Sequence, residues 1–248
     1  MYTSYKYTLS NLLREKSDPK TKDWWENYVK GSAPFLGVKM AGIRSVVHQW
    51  HKEYIAGYLD MDQQVDLALA LFEGENTEEK LAGTIYLQEI LLPANAVMCP
   101  RDLYQFAALF TNGYIYDWNV CDWFCVKVLG SLIKKEGDLC ASGISAWKSS
   151  KNLWQARASL VAFVPVAEKA EYYPLIESAC QTIIMRQERF AKTAVGWILR
   201  DISKYNQPFV KRVVTKNISD FSVESLNNAL KYFEADEKKY YRQLLKDA

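Results

Sequence analysis

KLAGTIYLQEIL at 80–91, DWFCVKVLGSLI at 122–133, RASLVAFVPVAE at 157–168 and KTAVGWILRDIS at 192–203 are four versions of one pattern. In each, a charged residue leads small and then bulky apolar residues at helical spacing. Asp122 to Arg157 is 35 residues, Arg157 to Lys192 is 35 again, and Lys80 to Asp122 is 42. A helix pair of this size cannot bury its apolar face alone, so such pairs stack into a solenoid. Stacking is expected to set the first-turn residues Asp122, Arg157 and Lys192 side by side on one concave surface, the usual binding surface of a solenoid.

Helical periodicity extends over the rest of the chain, with seven prolines and eleven glycines mostly at candidate boundaries. The expected helices are 4–16, 20–31, 39–56, 61–73, 77–92, 100–112, 117–135, 138–147, 151–166, 171–187, 189–205, 207–216 and 222–246. No strand pattern competes with them. The predicted fold is all-α, a HEAT-like solenoid of stacked antiparallel helix pairs forming a single domain over 1–248, with units shorter than the usual HEAT period of about 40 to 47 residues. Leu81, Ala82, Ile85, Tyr86, Leu87 and Leu91, with Val126, Leu129 and Ile133, are expected in its core.

Charge alone does not choose a partner: 31 basic side chains oppose 29 acidic ones, leaving +2, so a polyanion site requires local clustering. Cys99, Cys121, Cys125, Cys140 and Cys180 include no CxxC pair, and only His48 and His51 are available to help bind a metal. A reduced intracellular protein without structural zinc or other cofactor is expected. No stretch approaches the ~18 apolar residues of a membrane span, and the tyrosine-rich start is unlike an export signal.

Trp118 and Asp122 stand four apart and Trp197 and Arg200 three apart, so each pair shares a helix face. With Arg157, these residues suit a site that grips phosphates and stabilises a developing cation. The runs YDWNVCDWF (116–124), NLWQARASL (152–160) and AKTAVGWILRDISK (191–204) resemble the AlkD-like DNA alkylation repair family of HEAT-like glycosylases. ENYVKG (26–31) and PFLGVKMAGIR (34–44) resemble that family's tyrosine-bearing helix and its FLG turn. Asp117 and Asn119 flank Trp118 where a member of the family has a second Trp and an Asp, and Cys121 replaces an aliphatic residue; the W-x-x-x-D frame is intact.

The resemblance implies excision of positively charged N3- and N7-alkylated purines from double-stranded DNA, with the lesion read on a concave surface without a deep pocket. It implies Asp122 as the catalytic carboxylate, Trp118 and Trp197 as aromatic walls, and Arg157 and Arg200 as basic residues near the backbone. Lys192, Lys204, Tyr28, Lys30 and Lys39 are further candidates for the phosphate grip. A cationic purine leaves as a neutral base, so no general acid is needed, and the remaining barrier is positive charge on the sugar. A monomer is expected.

Blander readings stand beside these. Trp24, Trp25, Trp50, Trp123, Trp147 and Trp154, taken singly, read as core. Asp122 also reads as a solvated charge or an ion-pair partner of Arg157. Lys231 to Lys246 reads as a solvated face, and Cys121 with Cys125 as buried packing. Two other functions remain open: a non-catalytic protein that binds branched or distorted DNA, and a HEAT-type protein-interaction scaffold.

Overall fold

The computed structural model describes residues 2–248, with Met1 outside them, and every regular element among the described residues is helical. The chain forms two compact units, Met1–Val128 and Leu129–Ala248.

The first unit holds α1 (Thr3–Glu15), α2 (Pro19–Tyr28), α3 (Met40–Trp50), α4 (Met61–Ala70), α5 (Thr77–Tyr86), α6 (Leu103–Thr111) and α7 (Trp118–Phe124). Here α1 packs on α3, α3 on α5, and α5 on α7, while α4 packs on α5 and α6. The second unit holds α8 (Gly130–Glu136), α9 (Asp138–Ser145), α10 (Leu153–Val161), α11 (Tyr173–Ile184), α12 (Arg189–Ile202), α13 (Gln207–Lys216), α14 (Val223–Ala229) and α15 (Ala235–Asp247). There α10 packs on α12, α12 on α14, and α9 on α11. A helix resting on the one two places later is the stacking expected of a helical repeat. Close approach needs small residues: a Cβ at Gly196 would stand 2.6 Å from the Ser225 carbonyl oxygen, so α12 and α14 could not sit this close with alanine there.

The charged leading positions of the repeats join neighbouring helices. Lys80 is 4% exposed, and its ammonium donates to the carbonyls of Phe72 (2.7 Å) and Tyr114 (2.9 Å), the latter just ahead of α7. Arg157, equally buried, donates to the Phe190 carbonyl (2.7 Å) and Thr193 Oγ1 (3.2 Å) at the start of α12. Lys192 donates to the Asp220 carbonyl ahead of α14. Each cation thereby ties its own helix to the backbone of a neighbouring segment.

Several boundaries differ from expectation. The 222–246 segment divides at 230–234, where Leu230 and Phe233 are buried and Glu234 caps α15 through a box with Glu237. The 151–166 helix ends at Val161, ahead of a 3₁₀ turn containing Pro165. The 20–31 helix ends at Tyr28, since Lys30 (φ 55°) and Gly31 (φ 69°) are left-handed. π-helical turns at His51–Ile55, Leu87–Leu91 and Cys125–Leu129 extend α3, α5 and α7.

Two carboxylates position the segments that carry the candidate residues. Glu78, fully buried in the first turn of α5, accepts from the backbone N–H groups of Leu36 and Gly37 (2.8 Å each) and Val38 (3.0 Å). The FLG turn is thereby fixed, and Gly37 (φ 94°) is required because a Cβ would stand 2.4 Å from the Asp18 carbonyl oxygen. Asp117 caps α7, one oxygen accepting from Asn119 N (2.8 Å) and Val120 N (3.2 Å), while Oδ2 is buried without a partner among the described residues. Burial, assisted by the Asp122 charge, raises the Asp117 pKa against the lowering effects of its two N–H bonds and Lys80.

Two stability predictions follow from these contacts. Lys80→Met leaves two carbonyls unsatisfied and is expected to cost about 1.5–3 kcal/mol in chemical denaturation. Asp117→Asn keeps a good cap without a buried charge. A carboxyl whose folded pKa is raised loses stability as pH rises through that pKa. The variant's Tm is therefore expected to equal or exceed wild type at pH 7.5, with the difference shrinking on acidification; a Tm deficit at pH 7.5 contradicts this.

Candidate nucleic-acid interface

In the first unit the W-x-x-x-D frame begins at the capped end of α7. Trp118 is half-buried and packs on the small core of Val29, Ala33 and Phe35, together with Trp25. Asp122, one turn on, is half-buried as well. Tyr28 meets the Trp118 indole edge-on (5.6 Å, 69°), and its ring stacks on Trp24 (5.2 Å, 7°). Trp25 stacks on Phe35 (5.6 Å, 7°), which the FLG turn delivers. Tyr28, Lys30 and Lys39 are exposed.

Trp24 is 57% exposed, so its reading as core is corrected: it lies on the outer side of the Tyr28 stack. Trp50 is fully buried and donates to the Tyr5 carbonyl (3.1 Å), as a core Trp does. Trp25, Trp123, Trp147 and Trp154 are half-buried.

In the second unit the half-buried Trp197 is approached by two guanidiniums: the Cζ atoms of Arg157 and Arg200 lie 5.8 and 5.6 Å from its ring centroid. Arg200 is further held by Asp201 Oδ2 (2.8 Å) and Asn228 Oδ1 (3.4 Å). Lys204 donates to the other Asp201 oxygen, which raises the Lys204 pKa and keeps it charged. Asp201 thus offsets part of this positive cluster while fixing its geometry. Arg157 and Lys192 are held against the next helix, whereas Arg200 and Lys204 keep a quarter to two-fifths of their side-chain surface open.

Other residues go elsewhere. His48 pairs with Glu89 (2.8 Å), and His51 Nδ1 lies 3.2 Å from the Tyr86 hydroxyl. Cys121 and Cys125 are buried with sulfurs 3.9 Å apart. Sequence reasoning did not name Asp201 or Glu78, and named Asp117 and Asn119 only as departures from the family pattern beside Trp118. Asp201 was readable beside Arg200, and Asp117 as a cap ahead of an apolar run; the reach of Glu78 to residues 36–38 has no local signal. A cavity of about 520 Å³ lined by α1, α4 and α6 contains none of the candidate residues. A smaller one of about 240 Å³ has Trp25, Phe35, Asn119 and Trp123 in its wall.

Among solved structures, the chain is similar to one described as a predicted DNA alkylation repair enzyme from Enterococcus faecalis. The TM-score is 0.76 and the identity 18%, over 89% of this chain and 98% of that one, a likeness of fold. No curated protein matches significantly. The family model of the DNA alkylation repair enzymes matches residues 9–233, most of the 248, and the chain therefore belongs to the DNA alkylation repair enzyme family, with a role in the repair of alkylated DNA.

Proposed function

We propose that the protein is a monofunctional DNA glycosylase that hydrolyses the N-glycosidic bond of cationic N3- and N7-alkylated purines in double-stranded DNA, opening base excision repair inside the cell as a monomer without a cofactor. The observation that carries this reading is the half-buried carboxylate of Asp122, one helical turn from an indole that is itself seated on Tyr28. Family membership supports DNA as the target.

As the C1′–N bond breaks, its electron pair neutralises the purine's positive charge, and the base departs without protonation. Positive charge grows on the sugar, where Asp122 opposes it electrostatically, a term that gains strength in a site partly shielded from water. The carboxylate then takes a proton from the water that bonds to C1′. Trp118 presents a π face to the cationic sugar, worth about 0.5–2 kcal/mol; the family resemblance gives Trp197 a second wall role. Arg200 and Lys204 hold phosphates, with Tyr28, Lys30 and Lys39 contributing from the first unit. Arg157 and Lys192 contribute charge from positions tied to the next helix.

Asp122→Asn keeps size and loses the negative charge, so single-turnover release of N7-methylguanine from duplex DNA is expected to slow by about 10²–10³-fold. Release at the wild-type rate removes the assigned role of Asp122, and duplex binding without any release by wild type favours the non-catalytic binder. Arg200→Ala is expected to weaken duplex binding and to reduce the slope of log K against log salt by about 1. No duplex binding at low salt favours the protein-interaction scaffold.

A further inference from the structure

The cavity of about 520 Å³ in the first unit lies among α1, α4 and α6, and no residue assigned to DNA lines it. Its α4 wall is Asp66, Leu69 and Ala70, continued by Glu73 in the turn that follows, at the spacing of one helix face. Tyr104, Ala108 and Leu109 form the α6 wall by the same spacing, while Tyr2 and Lys6 line it from α1. Tyr114 adds a third tyrosine. Ala70 and Ala108 keep the space open, since longer side chains at either would enter it.

Charge in this lining does not balance. Lys6 is paired with Glu73 (2.7 Å), so these two cancel. Asp66 remains, exposed and without a hydrogen bond or ion pair among the described residues. The Tyr2 hydroxyl is held above its ordinary pKa by burial and then by the negative charges of Asp66 and Asp60; those two carboxylates make the field at that wall negative.

We infer that this cavity is a binding site for a small organic cation, an ammonium group carried on a flat apolar or aromatic body. Its volume falls within the roughly 300–1,000 Å³ of small-molecule sites. The ammonium is placed at Asp66, whose charge no free cation of the lining opposes. Tyrosine rings attract a cation through their faces, and three of them line the cavity. Tyr104 is 85% exposed, so covering its ring with a ligand removes apolar surface from water. Leu69, Ala70, Ala108 and Leu109 give the body of the ligand an apolar bed. An anion is disfavoured, because the one cation of the lining is already engaged by Glu73. Phosphate, and with it nucleic acid, meets two carboxylates here. The inference therefore stands apart from the glycosylase reading, and its test uses no DNA.

Tryptamine, tryptophol and indole-3-acetate share one ring system and are similar in size, but carry positive, zero and negative charge. Titration of each into the isotope-labelled protein, followed by amide NMR, tests the inference. Tryptamine is expected to give saturable shifts on α1, α4 and α6, with affinity at least about tenfold above that of tryptophol, and indole-3-acetate to give none. Asp66→Asn keeps the size and removes the charge, so tryptamine is expected to fall to the affinity of tryptophol, which itself stays unchanged. Ala108→Phe fills the space and is expected to weaken both about tenfold or more. Thermal melts establish that the variants fold; Asp66 is exposed, so its variant carries the test even where Ala108→Phe does not fold. Equal affinity for tryptamine and tryptophol, no saturable binding of tryptamine, shifts confined to other helices, or tryptamine affinity unchanged in Asp66→Asn overturns the site.

Discussion

A buried cation bonded to the backbone of the next helix is the interaction on which the repeat stacking depends. A lysine ammonium or arginine guanidinium carries several donors and no acceptor, so it satisfies carbonyls from two segments at once. Lys80 does this between Phe72 and Tyr114, and Arg157 reaches Phe190 together with Thr193. Lys192 reaches the residues ahead of α14. Apolar packing supplies most of the stabilisation but has no direction. These polar contacts set which turn of one helix faces which turn of the next, and through Tyr114 they fix the entry to α7.

The candidate site inherits its order from that framework. Asp117 starts α7 at one residue, which sets the rotation of Trp118, Asn119 and Asp122 about the helix axis. Glu78 holds the FLG turn and so delivers Phe35 beneath Trp25. In the second unit, the Asp201 carboxylate bridges Arg200 and Lys204 near Trp197. Asp117, Glu78 and Asp201 thus order the segments that carry the candidate side chains.

The repeating apolar pattern made the helical fold legible, because a 3.6-residue period over many segments has few other solutions. The frame of Trp118 and Asp122 was legible for the same reason, as was the pairing of Trp197 with Arg200. Partition of charge was harder to read. Lys192 and Arg200 look alike as basic residues on one helix, yet Lys192 bonds to the backbone carbonyl ahead of α14, whereas Arg200 is tied to the Asp201 carboxylate and the Asn228 side chain. Trp24 and Trp50 likewise look alike as single tryptophans, and only the packing of α2 against the FLG turn leaves the first exposed.

The central claim is chemical: a carboxylate suffices because the departing purine already carries the charge that an acid would otherwise supply. The most direct measurement is single-turnover base release from two duplexes that differ only in the lesion, cationic N7-methylguanine or neutral hypoxanthine. Release of the first with none of the second above the uncatalysed rate is the predicted result. Comparable release of both, or of hypoxanthine alone, contradicts it.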